Sequence, residues 1–79
     1  MISVDKTNCV VNSPVKRGKD WSNGNQDYHD GKPGMGKIAQ CAGLVAKVKW
    51  EGGVVAWYHT GASGKYDLYL LDGMIPLRL

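Results

Sequence analysis

The stretch 45-VAKVKWEGGVVAWYHT-60 decides the fold. Val45, Lys47 and Lys49 alternate with Ala46, Val48 and Trp50, the period of two that marks a half-buried strand. Gly52-Gly53 follows Glu51, and two adjacent residues that can take positive φ are a hairpin-turn signal. Across that turn, 54-VVAWYHT-60 is β-branched and aromatic, so it reads as the returning strand and ends at 61-GASG-64.

The neighbouring segments repeat this pattern. Toward the C-terminus, 66-YDLYLL-71 sets Tyr66, Leu68 and Leu70 on one face and Asp67, Tyr69 and Leu71 on the other, which makes a closing strand. Asp72-Gly73 then turns the chain into MIPLRL, where Pro76 excludes a central strand. Toward the N-terminus, 37-KIAQC-41 is a strand entered at Gly36 and broken at Gly43. Residues 20–36 form a loop with four glycines and a proline. Loops of that length are functional or packed on themselves, and Trp21 is the expected plug. Val15 opens a brief strand that stops at Gly18. Residues 1–13, with the apolar group Cys9-Val10-Val11, read as a lead-in that adds one extra strand. The expected organisation is a lead-in over 1–13, a barrel over 14–72 and a tail over 73–79. The fold class is all-β: a small SH3-like, partly open barrel of about five antiparallel strands with one long loop.

Seventy-nine residues make one small domain, near the lower limit at which a single core holds a chain together. That length has no room for a nucleotide-hydrolysing domain or a ubiquitin-ligase catalytic domain. Phe is absent, so three Trp and four Tyr supply the large core side chains. The net charge of +3 is mild, and its one cluster, Lys16, Arg17 and Lys19, reads as a solvated strand edge. The chain shows no signal-peptide pattern and no span of about 18 apolar residues. The expectation is a soluble intracellular, cytoplasmic protein without membrane insertion. Cys9 and Cys41 lie 32 positions apart with no C-x-x-C. They read as two free thiols in a reducing compartment, unless their strands lie side by side and allow a disulfide.

Several chemistries fail on their own requirements. In 31-GKPGMGKIAQ-40, Gly31, Gly36 and Lys37 match the spacing of a phosphate-binding loop up to its last position. There Ile38 stands where a Ser or Thr hydroxyl must hold magnesium. Ser63, His59 and Asp67 are the residue types of a hydrolytic triad without a nucleophile elbow around the serine. His29, His59, Cys9 and Cys41 lack the paired spacing of a zinc site. Asn23, Asn25, Asp27 and Asp30 lack the Gly and terminal Glu of a calcium loop. No enzyme activity, cofactor or metal is expected.

The segments 15-VKRGKDW-21, 24-GNQD-27, 34-GMGKI-38, 48-VKW-50 and 58-YHTGASGKYDL-68 resemble, in order and spacing, the Mib–Herc domain of Mind bomb and HERC ubiquitin ligases. The likeness runs over about residues 14–71. It departs at Asn23, where the family usually has a second Trp, at Ala56 for Asn, and at His59 for Arg. Tyr28-His29 replaces a pair of glycines, with an insertion before Gly34. The resemblance implies a module that helps ubiquitin ligases recognise protein substrates.

The residues themselves suggest physical roles. Arg17 and Asp20 flank a glycine turn and are expected to pair with Asp67 and Lys65. Trp21 and Trp50 are expected in the core, and Gly18, Gly36, Gly61 and Gly64 at turns or close approaches. Gln26 and Asp27 are expected to bond loop amides, and Tyr66 to lie in the closing strand. Trp57, Tyr58 and Tyr69, if they project outward with Lys16, Arg17 and His59 beside them, form an aromatic surface with a basic rim. Such a surface suits a protein or peptide ligand carrying acidic residues. A nucleic-acid-binding barrel is the alternative, and a structural subunit of a larger complex is another.

Overall fold

The computed structural model describes residues 1–71. Its strands are β1 (Ile2–Ser3), β2 (Pro14–Arg17), β3 (Tyr28–His29), β4 (Lys32–Pro33), β5 (Gly36–Ala42), β6 (Val45–Trp50), β7 (Val55–His59) and β8 (Leu68–Leu70). Six of them form one antiparallel sheet in the order β1-β8-β2-β5-β6-β7, while β3 and β4 make a separate hairpin. The far end of β7 meets the entry to β8 through the Thr60–Tyr66 bridge, so the sheet curls into a partly open SH3-like barrel. The expected Asp72-Gly73 turn, Pro76 and the tail lie outside the described residues.

β6 shows why the period of two was decisive. Ala46, Val48 and Trp50 are buried, whereas Val45, Lys47 and Lys49 lie on the outer side. Opposite them, β5 contributes Ile38 and β7 contributes Tyr58 to a core completed by Val4, Val15, Leu68 and Leu70. The phosphate-loop lookalike therefore resolves into a strand: Ile38 is fully buried and Lys37 is exposed across from Lys49.

Two glycines are required by close packing. A Cβ on Gly18 would lie 2.5 Å from the Leu68 nitrogen, where β2 crosses into the closing segment. A Cβ on Gly36 would lie 2.6 Å from Val48 and 2.7 Å from the Trp50 ring. In both places a side chain would displace backbone or core.

The lead-in is tied to the barrel. Ile2 and Ser3 pair with Leu70 and Tyr69 as the extra strand, and Val4 is fully buried, its N–H donating to the Leu68 carbonyl at 2.9 Å. Asp5 then folds the chain back: its Oδ1 accepts the N–H groups of Thr7 at 2.8 Å and Asn8 at 3.0 Å, as Asp does in turns. This turn delivers Cys9 to β5, where it forms a disulfide with Cys41 at a Cα–Cα distance of 6.1 Å. The expectation of two free thiols is thereby corrected. The physical reason is the adjacency of segments that the sequence alone does not align.

The long loop also differs from expectation. It contains the β3–β4 hairpin, turned by Asp30 at φ 54° and Gly31 at φ 80°, the pair of positive φ values that a two-residue hairpin turn needs.

Candidate functional site

Beneath the long loop, the aromatic residues form one packed cluster. Trp50 and Tyr58 meet edge to face with centroids 5.7 Å apart, and Trp21 stacks on Tyr58 at 5.3 Å. Trp21 is thus the expected plug. The buried indole N–H of Trp50 donates to the Tyr58 hydroxyl at 2.8 Å, and that hydroxyl donates to Gln26 Oε1 at 2.6 Å. Burial pushes the Tyr58 phenol up, and the Asp27 and Asp67 carboxylates push it the same way against the opposing bond from Trp50. The phenol therefore stays protonated and keeps donating. Tyr58 is only 2% exposed, so it is not the outward anchor the sequence reading proposed.

Arg17 belongs to the same cluster. Its Nε and Nη2 donate to the two oxygens of the fully buried Asp27, each at 2.7 Å, the planar fork geometry that favours Arg. Those bonds raise the guanidinium pKa above its usual value, against a smaller opposing effect of burial. The guanidinium carbon lies 5.1 Å from the Trp21 ring centroid and 5.9 Å from that of Tyr28. Arg17 therefore braces the loop.

The expected tie of Arg17 and Asp20 to Asp67 and Lys65 is corrected here. Asp20 Oδ2 instead accepts the Tyr66 N–H at 2.8 Å and lies 3.2 Å from Lys19. Lys65 is exposed. Asp67 is buried, with its Oδ2 2.7 Å from His59 Nδ1. Gln26 and Asp27 likewise engage Tyr58 and Arg17 through their side chains rather than loop amides, because the loop folds back onto the barrel.

The outer side of β5, β6 and β7 has the opposite character. In register, Lys37 lies across from Lys49 and Lys49 from Val55, while Gln40 lies across from Lys47 and Lys47 from Trp57. Trp57 is 47% exposed and Val55 50%. The Lys47 ammonium lies 5.8 Å from the Trp57 ring centroid, within cation–π range. The outer positions of these strands carry three lysines, Val45, Ala42 and the half-exposed His59; just beyond β6, Glu51 continues the same side and accepts the Met35 N–H at 3.0 Å.

The six residues singled out for ligand contact are therefore divided. Trp57 and His59 share this face, and Arg17 and Tyr58 belong to the packed cluster. Lys16 and Tyr69 pair with each other on β2 and β8. In the sheet order, β5 and β6 separate β2 from β7. Lys47 and Val55 also lie on this face and were not singled out from the sequence, although the alternation of β6 was visible there. A concavity of about 590 Å³, lined by Pro14, Met35, Lys37, Lys49, Trp50 and Glu51 among others, was also not foreseen.

The profile of the Mib_herc2 family matches residues 12–72, about three-quarters of the chain. The chain belongs to the Mib_herc2 family. It is 41% identical over 59 residues to the E3 ubiquitin-protein ligase MIB2 of Gallus gallus, a match covering 68% of this chain and 6% of that protein. To the E3 ubiquitin-protein ligase HERC2 of Mus musculus it is 36% identical over 64 residues, covering 78% of this chain and 1% of that protein. The human HERC2 ligase matches over the same shares at 36% identity. The chain thus spans a small fraction of the ligases it resembles, as a ligase-associated domain does.

Within this Mib_herc2 domain, the departures from the family pattern have visible consequences. Asn23, in place of the second Trp, leaves its buried amide nitrogen without a partner among the described residues. His59, in place of Arg, faces Asp67 through one ring nitrogen. Ser63 sits in a 3-10 turn over Ala62–Gly64, flanked by Gly61, at φ 55°. The His59 hydrogen bond goes to Asp67, and none joins it to Ser63. Both cysteines are held in the disulfide, and no group of three or more His, Cys, Asp and Glu among the described residues is placed to hold a metal. No described helix is long and apolar enough to cross a membrane.

Proposed function

We propose that this Mib_herc2 domain is a non-enzymatic protein-recognition module acting in ubiquitin ligation, and that the outer side of β6 and β7 is its contact surface. One observation carries the reading: Trp57 stands half exposed beside Lys47 on a side with three lysines, where Glu51, beyond the end of β6, is the one carboxylate in line with them among the described residues. An exposed aromatic anchor with a basic surround is the composition of a recognition patch for an acidic partner. The names of the relatives support the link to ubiquitin ligation and, with it, an intracellular setting. There the Cys9–Cys41 bond would be open to reduction, since Cys41 is exposed.

The test is affinity capture with the 79-residue chain, in parallel with Trp57→Ala and Lys47→Glu variants. The reading predicts captured proteins that both variants lose while the unfolding midpoint stays put. Capture that both variants retain would place recognition elsewhere. Nucleic acid captured with a steep salt dependence would favour the alternative of a nucleic-acid-binding barrel, because displaced counterions make such binding fall sharply with salt.

A further inference from the structure

The backbone of β7 specifies more than its side chains do. Antiparallel ladders alternate, so that every second residue turns its N–H and C=O toward the neighbouring strand and the others turn them away. Trp50 N–H donates to the Val54 carbonyl at 2.9 Å and Thr60 N–H to the Leu44 carbonyl at 2.8 Å. The even-numbered residues of this strand therefore face β6, and Val55, Trp57 and His59 present their backbone groups to the opposite edge.

At His59 that edge is already occupied. Asp67 N–H donates to the His59 carbonyl at 3.0 Å, and Asp67 Oδ2 accepts the His59 N–H at 2.8 Å. At Val55 and Trp57 the described residues leave it open: among them β6 is the only strand that pairs with β7, and none takes the outward N–H or C=O of either. Four backbone groups thus lie along one short edge without a partner among the described residues, directly beside the exposed Val55 and Trp57 side chains.

We propose that the Val55–Trp57 edge receives an extended segment of a partner protein as an added β-strand, with a carboxylate of that segment directed toward Lys47 and Lys49. This rests on the recognition reading above and adds its mode. Unpaired strand edges are templates for pairing, and strand addition takes its affinity from main-chain bonds and its selectivity from alternate side chains. An added strand would lie two strand spacings, about 10 Å, from β6, a gap that an extended Glu and an extended Lys bridge between them. Lys47 and Lys49 beside this edge, with the nearest outer carboxylate, Glu51, beyond the end of β6 and bonded to the Met35 N–H, select an acidic segment. A second copy of this chain, with its own net charge of +3, is the less complementary occupant.

The test uses the whole chain and a fluorescent octapeptide alternating Glu and Val, its Lys-Val counterpart, and two forms of the first N-methylated at alternate residues in opposite phases. N-methylation removes main-chain donors and leaves side chains in place. The Glu-Val peptide should bind, one methylated phase should lose at least about tenfold in affinity, the other should not, and the Val55 and Trp57 amides should exchange more slowly at saturation. No binding by the Glu-Val peptide, equal binding by the Lys-Val peptide, or unchanged exchange at those two amides would overturn the proposal. If both methylated phases bind like the parent yet Trp57→Ala abolishes binding, strand addition is wrong and the recognition surface survives. Protection of the two amides that depends on protein concentration without peptide would assign the edge to a second copy and overturn the acidic occupant.

Discussion

The packed cluster under the long loop and the outer side of β6 and β7 use the same kinds of residue, and only their neighbours separate them. Arg17 lies against Trp21, and Lys47 lies against Trp57, at centroid distances of 5.1 and 5.8 Å. Around Arg17, the charged and aromatic groups are answered inside the domain: Asp27 takes the guanidinium, and Gln26 and Trp50 bracket the Tyr58 hydroxyl. Around Lys47 no acidic group among the described residues answers the charge, and about half of the Trp57 surface is open. A basic residue beside an aromatic one is therefore not a binding signal by itself. The absence of an internal partner makes it one.

Substitutions ordered by effect test that contrast. Trp50→Ala should be the most damaging, because it removes a fully buried ring from the centre of the cluster; a loss of about 3–5 kcal/mol is expected in urea unfolding. Opening the Cys9–Cys41 disulfide frees a loop with a sequence separation of 32, and chain-entropy reasoning gives a loss of about 3–4 kcal/mol. Comparing urea curves with and without reductant measures it.

Arg17→Ala leaves the buried Asp27 carboxylate unpaired. Its expected cost is about 3 kcal/mol, the lower end for a broken buried pair because the arginine is itself partly exposed. Tyr58→Phe removes the acceptor of the Trp50 N–H while keeping the ring, so a loss of about 1–2 kcal/mol should appear. An unaltered midpoint for Tyr58→Phe would mean that the hydroxyl relay does not help hold the cluster. Trp57→Ala belongs to the other side of the comparison and should shift stability by no more than about 0.5 kcal/mol.

Much of the barrel was legible because strand periodicity depends on nearest neighbours. The alternation of β6, the Gly52-Gly53 turn and the burial of Leu68 and Leu70 against Asp67 and Tyr69 could be read from a few adjacent residues. Asp67, however, is also buried. A two-residue period assigns it to the outer side, but it sits where β7 and β8 converge and is covered by His59.

The β3–β4 hairpin was missed although Asp30-Gly31 is a strong turn signal, because its flanks are polar and exposed and offer no hydrophobic alternation. The pairing of Arg17 with Asp27 and the approach of Cys9 to Cys41 depend on how the loop and the lead-in fold back. Pairings of that kind join segments distant in sequence, and spacing carries no information about them. The candidate site was read only in part for the same reason. Trp57 and His59 lie on the outer side as expected of surface residues, but Tyr58 differs from them by a single step along the strand, and that step sends its side chain to the core.

The most direct test of the account measures stability and partner binding together on Trp57→Ala. The prediction is an unfolding midpoint within about 0.5 kcal/mol of the parent with capture of protein partners lost. A variant that binds as the parent does, or one that loses stability on the scale expected for Trp50→Ala, would contradict the assignment of the outer β6–β7 side to recognition.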